Sequence, residues 1–174
     1  MTPPPRTRWD GRYRSGDWLD EPSPSAIVEE AGRWLETGGR ALDLACGAGR
    51  NALYLAERGY SVLAVDLSVE GLRIVRDRAR SRGLSVQPIL AELPHFHVQP
   101  GSFQVVVNTR FLLRESFDLI RRALAPGGLV LFETFHVDEI DRLGGDIRRA
   151  YALEEGELER AFADFELLLY EEGV

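Results

Sequence analysis

The stretch that decides the fold of this chain is Ala41-Leu42-Asp43-Leu44-Ala45-Cys46-Gly47-Ala48-Gly49-Arg50-Asn51-Ala52-Leu53-Tyr54-Leu55. Its first residues are mostly apolar and predict a buried strand, its glycines predict a tight turn, and the residues that follow predict a helix. A turn of this kind directs backbone N–H groups and a helix N-terminus towards a ligand. We therefore expect a small polar ligand to bind here.

The rest of the chain continues this alternation of strands and helices with short connections. Besides 41–46, strands are predicted at 61–66, 85–90, 103–107, 128–133 and 165–170. The pattern predicts an α/β fold with a doubly wound, mostly parallel sheet of about six strands. In such a sheet ligands bind at the carboxyl ends of the strands, near the point where the strand order reverses.

Length and composition set further limits. The 174 residues suffice for one domain, which we place at 23–174, after a flexible segment at 1–22 in which 1–8 are disordered. The net charge of −7 argues against a nucleic-acid partner. Cys46 is the one cysteine, so no internal disulfide can form, and no apolar run reaches membrane-spanning length. We expect a soluble, cytoplasmic protein.

Polar or small residues follow the predicted strands. Gly47 and Gly49 let a ligand approach the backbone. Asp66 ends the second strand about 20 residues later, where a carboxylate can accept hydrogen bonds from both hydroxyls of a ribose. Glu92 follows the third strand and either accepts a hydrogen bond from an adenine amino group or is a loop carboxylate, and Asn108 follows the fourth strand. The predicted set is completed by Cys46, Asn51 and Leu67.

The glycine turn by itself fits two kinds of nucleotide. Residues 47–52 also match the dinucleotide pattern G-x-G-x-x-G/A, and Asp66 would suit the ribose of NAD equally well. On the turn alone, an NAD(P)-linked oxidoreductase therefore stays open.

Residues 42–51 resemble motif I of the class I S-adenosylmethionine (SAM) dependent methyltransferases. In that family an acidic residue before the turn can meet the methionine ammonium of SAM, and Asp43 has that place. In a dinucleotide site the same carboxylate would repel a pyrophosphate. The turn at 125–128 (Ala-Pro-Gly-Gly) also resembles the L-x-P-G-G turn of this superfamily. The resemblance implies SAM as cofactor and methyl transfer as activity.

Residues 46–55 are similar to tellurite-resistance (TehB-like) and thiopurine-type methyltransferases, and Trp9 and Tyr13 match the W-x-x-x-Y opening of the TehB-like proteins. The resemblance implies that both aromatic residues contact the cofactor. On the residues alone, the segment 9–22, which also contains Trp18, is either a lid over the ligand or a segment whose aromatic side chains pack outside the core.

The resemblance also implies a small-molecule methyl acceptor. A thiol or a metalloid oxyanion would need no catalytic base, and the sequence identifies no catalytic residue. An oxygen or nitrogen acceptor would need a base from His95, His97, His136 or Glu133. The three histidines lack the spacing of a metal site, so no metal is expected.

The family sheet ends with an antiparallel seventh strand, and too little sequence follows 165–170 to form one. We expect that strand to be missing. This leaves open a non-catalytic SAM-fold binding protein and a homodimer through the exposed edge of the sheet.

Overall fold

The computed structural model describes residues 5–16, 23–143 and 149–173, without the side chains of 141–143. No helix in these ranges is both long and apolar enough to cross a membrane. The elements in chain order are α1 Pro5–Arg14, α2 Ala26–Glu30, β1 Gly39–Leu44, α3 Arg50–Glu57, β2 Tyr60–Asp66, α4 Val69–Arg82, β3 Val86–Leu90, β4 Phe103–Thr109, α5 Ser116–Ala123, β5 Leu124–Glu133, α6 Val137–Leu143 and α7 Glu157–Ala161. Short 3-10 turns lie at Ala31–Arg33, Leu93–His95 and Arg149–Tyr151.

The five strands form one parallel sheet in the order β3-β2-β1-β4-β5, which confirms the predicted α/β class. Strand β2 lies beside β1 and β3 lies beside β2, whereas β4 lies on the other side of β1. In register, Leu44 at the end of β1 lies opposite Val65 of β2 and Asn108 of β4. The strand order therefore reverses between β1 and β4, and this is where a ligand site is expected.

Each face of the sheet is covered by helices, as an all-parallel sheet requires. On one face the strands pack against α2, α3 and α4 through side chains such as Val28, Leu55 and Val75. On the other face Leu42, Leu44, Val65 and Val106 pack against α5. Both faces of β1 are thus buried from residue 41 to residue 44, where three of the four residues are apolar.

The N-terminal segment differs from the expectation. Residues 5–8, predicted to be disordered, begin helix α1, and this helix continues through Arg14. Asp10 and Tyr13 of α1 are buried. These burials depend on partners far along the chain, so local composition could not reveal them. Trp18 lies outside the described residues.

The C-terminal segment differs as well. The structure places 165–170 outside any strand, so the described sheet ends at β5. Phe162 packs edge-on against Phe117 of α5 and Phe165, with ring centroids 5.5 and 5.4 Å apart. The Arg121 guanidinium also binds both carboxylate oxygens of Asp164 at 2.5 and 2.6 Å. These contacts hold the segment on α5 instead of along the edge of β5.

Candidate cofactor site

The turn after β1 is a strained backbone loop fixed to its neighbours. Positive φ angles occur at Ala45 (53°), Gly47 (57°) and Gly49 (83°). The Cys46 N–H donates to the Val65 carbonyl at 3.0 Å, which ties the turn to β2. A Cβ at Gly49 would lie 2.7 Å from the Val75 side chain of α4. Only glycine fits there, so α3 begins in a fixed position close to α4.

Asp43 is the central polar residue of the site. It is 1% exposed, and neither carboxylate oxygen has a hydrogen-bond partner among the described residues. Burial raises the pKa of Asp43 to about 7, and the charge of Asp66 adds to this rise. The nearby Ala52 amide and Arg50 guanidinium lower the pKa and so oppose the rise only in part. A buried, unpartnered carboxylate is costly, and a cationic ligand group would offset that cost.

Asp66 is held by the backbone around it. Its Oδ2 accepts from the Gly47 N–H and its Oδ1 from the Ser68 N–H, both at 2.8 Å. Burial raises the pKa of Asp66 despite these bonds. Each oxygen keeps a second lone pair, so the predicted ribose contact is still compatible with the geometry. Leu67 is half-buried beside it.

Helix α1 covers the glycine turn from outside. The Tyr13 hydroxyl lies 2.6 Å from the position that a Cβ would take at Gly47, and its ring lies 3.0 Å from the corresponding position at Gly71 of α4. Burial is the main reason that the Tyr13 pKa is raised. The Trp9 ring stacks on Tyr13 with centroids 6.2 Å apart, and the Arg12 guanidinium lies 5.3 Å from the Trp9 centroid. Tyr13 of the W-x-x-x-Y pattern thus lies at the turn, and Trp9 packs against Tyr13.

Asp10 is a residue of this region that sequence reasoning missed. Its Oδ1 accepts from the Ser68 hydroxyl at 2.6 Å and from the Glu70 N–H at 3.2 Å, at the N-terminus of α4. Burial opposes ionisation, but these bonds and nearby arginines hold the pKa of Asp10 below its usual range. No local sequence pattern indicates this cap, because Asp10 is distant in sequence from α4, the helix that it caps.

The Asn51 side chain forms hydrogen bonds with other parts of the protein. Its Oδ1 accepts from the Ser25 N–H at 2.9 Å and from the Ser25 hydroxyl at 3.1 Å. Its Nδ2 donates to the Thr109 hydroxyl at 2.9 Å. Asn51 therefore joins the start of α3 to the N-cap of α2 and to the end of β4, while the predicted cofactor contact of this residue stays a prediction.

Asn108 presents an unused acceptor at the end of β4. Its Nδ2 donates to the Phe111 carbonyl at 2.7 Å. Its Oδ1 is buried and has no partner in the described part of the chain. Since Asn108 lies opposite Leu44 in the sheet, this oxygen belongs to the same strand-end region as Asp43.

The remaining predicted residues lie around this centre. Glu92 is exposed where the 3-10 turn Leu93–His95 begins, and its side chain does not cap that turn. Cys46 is buried, and burial raises the pKa of its thiol, so it is not a reactive thiolate. In the described ranges no group of three or more His, Cys, Asp or Glu residues could hold a metal ion.

Comparison with known proteins gives a consistent family. The profile of the protein family described as "Methyltransferase domain" matches residues 41–128. YqeM of Bacillus subtilis (strain 168), named as a methyltransferase, is 32% identical over 139 residues, which cover 70% of this chain and 55% of YqeM. The 2-heptyl-1-hydroxyquinolin-4(1H)-one methyltransferase of Mycobacteroides abscessus is 33% identical over 120 residues, covering 63% and 51% of the two chains. The chain thus spans about half the length of these curated relatives.

A solved structure shows the same fold. TehB from Haemophilus influenzae superimposes with a TM-score of 0.75 over 94% of this chain and 58% of TehB, at 22% identity. The similarity in architecture agrees with the TehB-like sequence around the glycine turn.

Proposed function

The chain belongs to the methyltransferase domain family, whose methyl donor is S-adenosylmethionine, and from that premise we propose that it transfers the methyl group of SAM to a small-molecule acceptor. The observation that carries this proposal is the buried carboxylate of Asp43, which has no partner among the described residues. The methionine ammonium of SAM would supply the missing cation.

The residues around Asp43 fit the rest of the cofactor. Gly47 and Gly49 let Tyr13 and Val75 pack directly against the turn, because a Cβ at either position would collide with one of these side chains. The free lone pairs of Asp66 suit the ribose hydroxyls. Glu92 is placed for the adenine end, after the neighbouring strand β3.

Helix α1 closes this site in our proposal. Tyr13 lies directly outside the glycine turn with Trp9 stacked on it, so α1 would cover bound cofactor and exclude water. SAM supplies an activated methyl group when bound, and the chain's own residues therefore need mainly to bind it, to orient it and to shield it from solvent. In this proposal the N-terminal segment is therefore a lid over the ligand.

The acceptor would bind on the β4 and β5 side of the site. The unused oxygen of Asn108 lies there, and so does the buried hydroxyl of Thr134, which has no partner among the described residues. The histidine nearest to these strand ends, His136, accepts from the Asp138 N–H through Nδ1, and its Nε2 faces Glu172 at 3.6 Å. This Nε2 is buried and has no hydrogen-bond partner among the described residues. His136 is therefore available as a base for an oxygen or nitrogen acceptor, whereas a thiol or oxyanion acceptor would need none.

Calorimetric titration with S-adenosylhomocysteine (SAH) and with NADH tests the proposal. We expect one SAH site per chain and no NADH binding, since a pyrophosphate would meet the Asp43 carboxylate. Radiolabelled SAM should then transfer its methyl group to a member of a thiol, metalloid, phenol and amine panel. NADH binding without SAH binding would contradict the proposal.

A second candidate is a non-catalytic protein that binds SAM. The five-stranded sheet favours it, because the described residues after β5 add no strand to the sheet. SAH binding without methyl transfer to any acceptor in the panel would support this candidate over the first.

A further inference from the structure

Two arginines are brought together at the strand ends by a hydrogen bond between their neighbours in sequence. The Asn51 amide donates to the Thr109 hydroxyl at 2.9 Å, so Arg50 and Arg110 lie on either side of this contact. The Arg110 N–H also donates to the Glu133 carbonyl at 2.8 Å. The arginine pair therefore lies where α3 begins and β4 and β5 end.

The two guanidinium groups lack the partners that other arginines of this chain have. Arg114 binds Glu157 and Arg121 binds Asp164, each through two short bonds. Within the described residues, neither Arg50 nor Arg110 makes a side-chain hydrogen bond or an ion pair. Arg50 is half-buried and Arg110 is exposed. Burial together with the charge of Arg110 lowers the pKa of Arg50.

The acidic groups nearby do not satisfy the pair. Glu133 and Asp43 favour the charged form of Arg50, but neither comes within 4.0 Å of it as an ion pair. In the proposed cofactor complex the methionine ammonium neutralises Asp43. Glu133 then balances one arginine, and one positive charge is left in a partly desolvated place.

The backbone at Arg110 is a further sign of a specialised position. Its φ is 55°, a left-handed conformation that is uncommon for residues other than glycine. Such conformations persist where the surrounding structure enforces them and are concentrated at functional sites. Here the enforcing contact is the bond to the Glu133 carbonyl, which fixes Arg110 beside the unused polar atoms of Asn108 and Thr134.

We propose that Arg50 and Arg110 bind a carboxylate of the methyl acceptor, so that the substrates of this site are small organic acids. The inference rests on the proposed methyl transfer. Guanidinium groups bind planar carboxylates through paired hydrogen bonds, and an anion between the two arginines would relieve their mutual repulsion. The pair serves the acceptor because Arg110 lies on the β4–β5 side, whereas the glycine turn and Asp66 lie at the ends of β1 and β2.

Matched acid and amide probes test the inference. The thiols 4-mercaptobenzoate and 4-mercaptobenzamide, which have nearly the same shape, are titrated by calorimetry into the protein saturated with SAH. We expect the acid to bind at least about tenfold more tightly than the amide in the wild-type protein, as for one charge-assisted pair. Arg50→Gln and Arg110→Gln should each reduce this preference to about twofold or less.

Controls separate the arginine pair from general charge and from the cofactor. Arg80→Gln removes an exposed arginine of α4 and should leave the acid preference intact. SAH affinity should change by less than about twofold in Arg50→Gln and Arg110→Gln. Thermal melting identifies any variant that fails to fold. The comparison of acid and amide affinity in the wild-type protein does not depend on the variants.

Three results would overturn the inference. In the first, the acid and the amide have the same affinity for the wild-type protein, or neither of them binds. In the second, Arg50→Gln weakens SAH while the acid preference stays, which would assign Arg50 to the carboxylate of the cofactor. In the third, SAH itself does not bind, which contradicts the proposed function and the inference with it.

Discussion

Gly47 shows how a single residue determines the geometry of the site. Its φ of 57° requires a left-handed backbone, and the space beside it is taken by the Tyr13 hydroxyl. Two independent constraints therefore act on the same position. Gly127 shares only the first, since its φ is 74° but nothing lies within 4 Å of the place of its Cβ.

The pair Gly47→Ala and Gly127→Ala separates these constraints. Gly127→Ala should lose about 1–2 kcal/mol of unfolding free energy, the cost of a left-handed alanine. Gly47→Ala should lose at least about 1 kcal/mol more, because its methyl group also displaces Tyr13. Urea unfolding measures both values. Equal losses in the two variants would show that Tyr13 does not pack against the turn as described.

Some individual residues of the site were accessible to sequence reasoning and others were not. Asp43, Gly47 and Gly49 were predicted from a local pattern, and the structure places all three at the turn. The hydrogen bonds of the Asn51 side chain were not predicted, because its partners Ser25 and Thr109 lie 26 and 58 positions away. Contacts over such separations are set by the folded chain and leave no local signal.

At the scale of elements, helix α1 is docked on α4 through a carboxylate. Asp10 accepts from the Ser68 hydroxyl and from the Glu70 N–H, so it occupies the positive end of the α4 dipole. Four arginines lie in the ten residues of α1, and only Asp10 and Tyr13 of this helix are buried. The docking of α1 thus depends on few contacts, as suits the lid that we propose for this helix.

Asp10→Ala should undock α1. We expect a loss of about 1.5–3 kcal/mol in unfolding free energy at neutral pH, the usual value of hydrogen bonds to a charged group. The arginines of α1 should become more susceptible to trypsin. Asp77→Ala is the matched control, because Asp77 pairs only with exposed Arg76 and should cost less than about 1 kcal/mol.

The pH dependence of this contact has a definite sign. The pKa of Asp10 in the folded protein lies below the ordinary value of 3.8. Its contribution is therefore present above about pH 4 and is lost as the pH falls through the folded-state value. Equal stability losses in Asp10→Ala and Asp77→Ala at neutral pH would contradict the docking role.

At the scale of the whole molecule, the strand–helix alternation predicted the fold class and five of the strands. It failed at 165–170, where an apolar run that resembles a strand packs outside the sheet. Phe162 and Phe165 bind α5 there, and Arg114 holds α7 through Glu157 at 2.6 and 2.8 Å. Periodicity identifies an apolar segment but does not specify which surface it will cover.

The strand order explains why the position of the site could be predicted before its ligand was identified. The order of the strands puts the ends of β1, β2 and β4 together. Every predicted cofactor residue except Trp9 and Tyr13 lies near the carboxyl end of a strand, in the glycine turn or at the start of α3. The two aromatic residues reach the turn through α1. The assembled edge therefore has one centre, the buried carboxylate of Asp43.

The affinity for SAH at two pH values, in the wild-type protein and in Asp43→Asn, tests this centre most directly. With a pKa of about 7, the carboxylate is mostly protonated near pH 6 and mostly ionised near pH 7.5. If it binds the ammonium of the cofactor, wild-type affinity should rise by roughly an order of magnitude between these values. Asp43→Asn should bind about tenfold or more weakly at the higher pH and should lack this rise. Equal affinity and the same pH dependence in both proteins would contradict the account.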